Sequence, residues 1–212
     1  MFPEVLPNNA RSALAALGES IVLKDAYLAG GTALAFQLGH RISVDFDFFT
    51  DHEFDAQQLI QKFTALPLRF QLERTAPGAI FGFFGDTKFS LFEYHYPLLE
   101  PVVSFMNIAL ASISDIAAMK LAAVADRGSR RDFIDLYVMI VVEKKLTFEA
   151  LFLLYDQKFA VLQQNKMHLL KSLVYFDDAE ADVMPQMLRP VEWRDVKKFF
   201  QNEVNRISKQ YL

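Results

Sequence analysis

The sequence predicts an α+β fold, with a mixed sheet and flanking helices in residues 1–111 and an all-α part in residues 112–212 packed against that core. Three observations predict it. Three β-rich runs, Leu68–Thr75, Ala79–Phe84 and Lys88–Tyr94, are parted by Pro77-Gly78 and Gly85-Asp86, both turn signals. From Ser112 onward Pro and Gly are scarce, and apolar residues recur at the helical period. Hydrophobic residues make up 52% of 212 residues, with 21 Phe, which is ample for a well-buried core.

The elements follow in order. Asn8 or Asn9 can cap a first helix running to about Gly18. A strand at Ala26–Ala29 leads into Gly30-Gly31-Thr32, and a helix from Thr32 to Leu38 ends at Gly39, a C-cap residue. A strand carrying Asp45 and Asp47 comes next. Asp55 caps a helix over Ala56–Ala65, with Leu59, Ile60 and Phe63 at helical spacing. The three β-rich runs follow, then shorter strand signals at Val102–Val103 and Asn107–Leu110. In the helical part, Ser114 can cap Asp115–Asp126, Ser129 a helix from Arg130 to about Val142, and Thr147 the run Phe148–Lys158. Further helices are expected over about Val161–Val174 and Glu192–Lys209.

Composition removes several function classes. The net charge of −4 gives no overall basic footprint for nucleic acid, leaving only local groups such as Arg127, Arg130, Arg131 and Lys197-Lys198. The absence of cysteine excludes disulfides, thiolate zinc sites and cysteine nucleophiles, and fits a cytoplasmic protein. No signal peptide is expected from MFPEVLPNNARSAL, and no apolar run approaches the ~18 residues of a membrane span. There is no nucleophile elbow and no P-loop motif, and the histidines have no metal-ligand spacing.

The densest chemistry lies in Tyr27–Thr50, YLAGGTALAFQLGHRISVDFDFFT. Alternation along a strand aims Asp45 and Asp47 at one spot and sends Val44, Phe46 and Phe48 to the opposite, apolar face. Two adjacent carboxylates repel unless a cation lies between them or one stays protonated. A hard divalent ion, Mg2+ or Mn2+, resolves this and brings substrate phosphates with it. Gly30 and Gly31 let the backbone approach a ligand, and a helix starting near Thr32 presents free N–H groups to an anion. Taken alone, the Gly-Gly-Thr run also reads as a tight turn with Thr32 as N-cap.

Strand, Gly-Gly-Thr, helix and an Asp-x-Asp strand, with twelve residues between Thr32 and Asp45, resemble the nucleotidyltransferase superfamily of polymerase β-like fold. The wording is similar to the AbiEii/AbiGii-type nucleotidyltransferase toxins of abortive-infection and toxin–antitoxin systems. The similarity extends to KFSLFEYHYPLLEP and DIAAMKLAAVADRGSRRDFIDLY, and so spans most of the first 140 residues. The resemblance implies that Asp45 and Asp47 bind Mg2+ or Mn2+ and that Gly30, Gly31, Thr32 and Arg41 hold nucleotide. A third carboxylate is expected near Ser90, where this chain has none; Glu93, three residues on, points to the other face of a regular strand.

Lys120 sits on an otherwise apolar helix, so its amine must snorkel to water or meet an anion. The resemblance places it against nucleotide phosphate, with Asp132 orienting it and Arg131 contacting phosphate or RNA backbone. Asp132 also has a local reading, as a first-turn carboxylate favoured by the helix dipole, and Asp135 lies one turn on. His40 reads as a structural hydrogen-bonding residue. The expected function is Mg-dependent transfer of a nucleoside monophosphate from an NTP to tRNA or protein, with a co-encoded antitoxin as partner. The alternatives are a nucleotide-binding module with little transfer activity, motivated by Ser90, and a small-molecule nucleotidyltransferase of antibiotic-modifying type.

Overall fold

The computed structural model describes residues 1–162 and 165–209. Its contacts divide the chain into two compact units, Met1–Ser112 and Ile113–Leu212.

In the first unit the chain forms α1 (Asn8–Ser20), β1 (Tyr27–Leu28), α2 (Gly30–Leu38), β2 (Phe46–Thr50), α3 (Ala56–Thr64), β3 (Phe70–Ala76), β4 (Ala79–Phe84), β5 (Thr87–Glu93), β6 (Val103–Phe105) and β7 (Ile108–Leu110). The strands build one seven-stranded mixed sheet in the order β3-β4-β5-β2-β1-β7-β6. The three β-rich runs of the sequence pair as an antiparallel meander, β3 with β4 and β4 with β5. Two parallel pairings, β2 with β5 and β1 with β7, and two antiparallel ones, β1 with β2 and β6 with β7, complete the sheet.

Period-2 alternation decides what each strand buries. In β2, Phe46 and Phe48 are fully buried while Asp47 and Phe49 are half-buried on the other face. The buried face is aromatic: Phe63 of α3 packs edge-on against Phe84 and Phe89, with ring centroids 5.5 and 5.3 Å apart. That seats α3 on the sheet, and removing such a ring costs ~3–5 kcal/mol. The Asp55 carboxylate accepts from the amides of Gln57 and Gln58 at 2.8 and 3.1 Å, the predicted N-cap.

Two local expectations are corrected beside β2. Helix α2 starts at Gly30, two residues before Thr32, because Gly30 holds φ +66°, which lets the chain turn from β1 straight into the helix. Thr32 is therefore inside the first turn and is not the N-cap. Val44, expected in the core, is 41% exposed, because regular pairing begins only at Phe46 and the strand alternation does not reach back to it. Gly39, at φ +62°, ends α2 as predicted, its N–H donating to the Ala35 carbonyl at 2.7 Å.

The second unit is helical: α4 (Ile113–Asp126), α5 (Arg130–Tyr137), α6 (Phe148–Lys158), α7 (Lys166–Ser172), α8 (Asp177–Ala181) and α9 (Trp193–Ser208). α5 widens into a π-helical stretch over Val138–Val142. Its core is centred on Phe133, whose ring meets Phe176, Trp193 and Phe200 at 5.1, 6.0 and 5.4 Å. Thr147 caps α6 through the Ala150 amide, as predicted. α4 begins at Ile113, so Ser114 lies within it. The helix expected over Val161–Val174 is shorter here, covering Lys166–Ser172 beyond Gln163 and Gln164, which lie outside the described residues.

Candidate active site

Asp47 stands on β2, and Asp45 lies one residue ahead of that strand's first pair, Phe46 with Phe89. Both carboxylates therefore sit where the chain enters the sheet. The first turn of α2 closes over Asp47. A Cβ added at Gly30 would lie 3.2 Å from Asp47 Oδ2, and one added at Gly31 would lie 2.3 Å from Arg41 Nη2 and 3.0 Å from Ser43 Oγ. The glycines thus let a carboxylate and a guanidinium come flush against the helix start. Arg41 is 3% exposed and donates through Nη1 to the Ile42 carbonyl at 3.1 Å. A buried cation at a helix N-terminus opposes the dipole, so it is stable there only if anions share the spot.

Thr32 is 1% exposed, and its hydroxyl lies 2.6 Å from the Asp45 carbonyl oxygen and 3.0 Å from Ser43 Oγ. The Ala29 amide donates to the Asp47 carbonyl at 3.0 Å. The main chain of Asp45 and the carboxylate of Asp47 thus lie beside the helix start, and carboxylate oxygens are hard donors that would suit Mg2+ or Mn2+ once water or phosphate completed the shell. Among the described residues no group of three or more His, Cys, Asp or Glu is gathered to hold a metal ion.

Ser90 is the Cα partner of Asp47 in the β2–β5 register, so the two side chains leave the same sheet face. Glu93 pairs with Thr50 on the opposite face, and its Oε1 accepts from the Phe54 amide at 3.1 Å. The Asp47 face continues into aromatic side chains. Phe49 stacks on Phe92 at 5.3 Å and on Tyr27 at 6.0 Å. Tyr27 lines a cavity of about 490 Å³ with Lys24, Asp51, His95 and Tyr96.

The other predicted residues lie in the second unit. Lys120 Nζ, nearly buried, donates to Asp132 Oδ1 at 2.6 Å and lies 2.7 Å from Asp135 Oδ2, both carboxylates being fully buried. Ser129 is the N-cap of α5, as expected, but its side chain bonds no helix amide; its hydroxyl donates to Asp132 Oδ2 at 2.5 Å, and Arg127 Nε lies 3.5 Å from the same oxygen. Burial pushes the Asp132 carboxyl up, but the Lys120 charge and hydrogen bond, the Ser129 hydroxyl and Arg127 outweigh it and hold the group below the ordinary carboxylate range. Arg131 is exposed on the first turn of α5, and His40 is fully buried. Sequence reasoning missed one ion pair: Lys158 of α6 and Asp115 of α4, both fully buried, 2.7 Å apart. Its only sequence signal was a lysine closing the apolar run FEALFLLYDQK.

Comparison with known proteins adds the family. A family model described as nucleotidyl transferase AbiEii toxin, type IV TA system, matches residues 12–82 and 84–208. An uncharacterized protein of Aquifex aeolicus (strain VF5) is 37% identical over 214 residues, covering 98% of each chain. JHP933 from Helicobacter pylori shares the fold with a TM-score of 0.55 at 18% identity, over 97% of this chain and 96% of its own. MenT4, a nucleotidyltransferase toxin from Mycobacterium tuberculosis, does so with a TM-score of 0.53 at 14% identity, over 94% and 86%. With its glycine turn set against an Asp-x-Asp strand on this sheet, the chain belongs to the AbiEii nucleotidyl transferase toxin family of type IV toxin–antitoxin systems.

Proposed function

We propose that the protein is a divalent-metal-dependent nucleotidyltransferase toxin that moves a nucleoside monophosphate from an NTP onto a hydroxyl of tRNA or of a protein. The observation that carries this reading is Asp47 Oδ2 held against Gly30 at the start of α2, where phosphate and metal ligands meet. Asp45 and Asp47 hold Mg2+ or Mn2+, which when bound neutralises charge on the triphosphate and the departing pyrophosphate. Gly30 and Gly31 leave backbone N–H groups open to phosphate oxygens, and Arg41 adds a fixed positive charge on the same turn. The acceptor oxygen bonds to the α-phosphorus as the bond to pyrophosphate breaks. Ser90 offers no carboxylate for the acceptor proton, so this proton leaves to water or to a phosphate oxygen. The aromatic face beyond Asp47 gives an acceptor a surface to lie on.

In this reading Lys120 and Asp132 chiefly fix α4 to α5 and so set the pose of Arg131, which meets phosphate or RNA backbone. An ammonium has three N–H donors, so bonding both carboxylates does not by itself bar a direct Lys120–phosphate contact. Family membership supports a co-encoded antitoxin as partner. No helix among the described residues is long and apolar enough to cross a membrane, and a cytoplasmic site of action belongs to the proposal.

A second reading, a nucleotide-binding module with little transfer, is favoured by Ser90 alone. The test is incubation with each α-labelled NTP, Mg2+ and either total tRNA or cell protein. Label should move with a preferred NTP, and EDTA or Asp45→Asn with Asp47→Asn should stop it. Metal-dependent nucleotide binding with no label moved selects the second reading.

A further inference from the structure

We infer that the Thr32 hydroxyl is not a phosphate ligand but a positioning group that fixes the main chain at Asp45, an inference resting on the metal-site reading above. A threonine hydroxyl carries one proton. The shorter of its two contacts, 2.6 Å to the Asp45 carbonyl, takes that proton. The Ser43 hydroxyl at 3.0 Å is then placed to donate to Thr32 Oγ1, making a relay from Ser43 through Thr32 to Asp45. With Thr32 only 1% exposed, no proton remains to offer a triphosphate from this side chain.

The placement explains why the tie is needed. Asp45 lies ahead of the first β2–β5 pair, so the regular ladder that sets Asp47 does not set Asp45. The Ala29 amide holds the chain at the Asp47 carbonyl, and Thr32 holds it at the Asp45 carbonyl. These two bonds, from residues flanking the glycine pair, hold the backbone that carries both carboxylates. Side-chain spacing between two metal ligands depends on their main-chain positions, so losing the Thr32 bond loosens the pair without removing a ligand.

The test uses Mn2+ alone, titrated into the full chain and followed by the paramagnetic resonance of free Mn2+, together with hydrogen exchange at residues 44–47. Thr32→Val should weaken Mn2+ binding by about 10–100-fold, the range for a group that orients a ligand. It should speed exchange at 44–47 and leave metal-free NTP affinity unchanged. Thr32→Ser should behave as the parent. If the valine fails to fold, Thr32→Ala is read the same way. Unchanged Mn2+ affinity with weakened metal-free NTP binding would make Thr32 a phosphate ligand and overturn the inference, as would variants that match the parent throughout. Asp45→Asn separates the two levels. If it binds Mn2+ as the parent does, the metal-site reading itself has failed and the inference falls with it. If it loses Mn2+ while Thr32→Val keeps it, only the inference has failed.

Discussion

Ser90 stands directly beside Asp47, its Cα partner on the neighbouring parallel strand, with both side chains on one face of the sheet. A carboxylate at residue 90 would therefore point alongside Asp47. Ser90→Asp should tighten Mn2+ binding and raise any transfer rate, within the ~10²–10⁴-fold that one positioned base supplies. Without metal it adds like charge at a position only 4% exposed, so the EDTA-treated variant should melt below the parent and recover with Mg2+. Thermal melts with and without Mg2+ check this. A melting point unmoved by metal contradicts the assignment.

Gly31 tests the Arg41 contact. A methyl at this position meets Arg41 Nη2 at 2.3 Å, and that guanidinium is too buried to swing freely away. Gly31→Ala should cost ~1–3 kcal/mol, the range for overpacking, although alanine is the better helix former. Triphosphate affinity should fall with it, and isothermal titration with an NTP reads the loss. Gain of stability with full affinity would place Arg41 elsewhere.

Lys120 is the only lysine held between Asp132 and Asp135 among the described pairs. Removing it leaves two buried carboxylates facing each other. Lys120→Ala should destabilise by ~3–5 kcal/mol, as for a broken buried pair. The triple change Lys120→Met, Asp132→Asn, Asp135→Asn should recover much of that, because nothing charged is left uncompensated. Urea unfolding of the three proteins checks the order. A Lys120→Ala protein as stable as the parent excludes the buried cluster.

Asp132 also predicts a pH dependence. Its carboxyl in the folded chain lies below its ordinary value of 3.8, so the unfolded chain takes up the proton first as pH falls. The stability it contributes is full above the ordinary value and disappears as pH drops through the lower folded value. The gap between the parent and Asp132→Asn should thus be widest near about pH 7 and shrink toward about pH 3. Denaturant midpoints across that range are the measurement, and a gap that widens in acid reverses the sign.

Much of this was legible from side-chain pattern alone. The Phe63 face of α3, its Asp55 cap, the Gly39 stop and the meander of β3, β4 and β5 all follow from local rules, and each element has them in its own residues. What failed did so at junctions. The start of α2 moved to Gly30 because a positive φ let the chain turn sooner than a capping side chain would require. Val44 left the core because alternation holds only where a strand is paired. The Thr32–Asp45 and Lys158–Asp115 contacts join residues far apart in sequence, and no periodicity encodes a partner. Lys120 was legible as an amine needing an anion, and Asp132, with Asp135 one turn on, as the carboxylates near it; both meet the amine.

The sheet order has a consequence for how the molecule comes into being. Strands β1 and β2 are made early, yet each has a parallel neighbour made much later, β7 for one and β5 for the other. A chain emerging from the ribosome carries its Asp-x-Asp strand long before residue 90 can pair beside it. Such non-local pairing is slow because the intervening loop must close first. The Asp-x-Asp strand thus waits for its neighbour until residues 87–93 have been made.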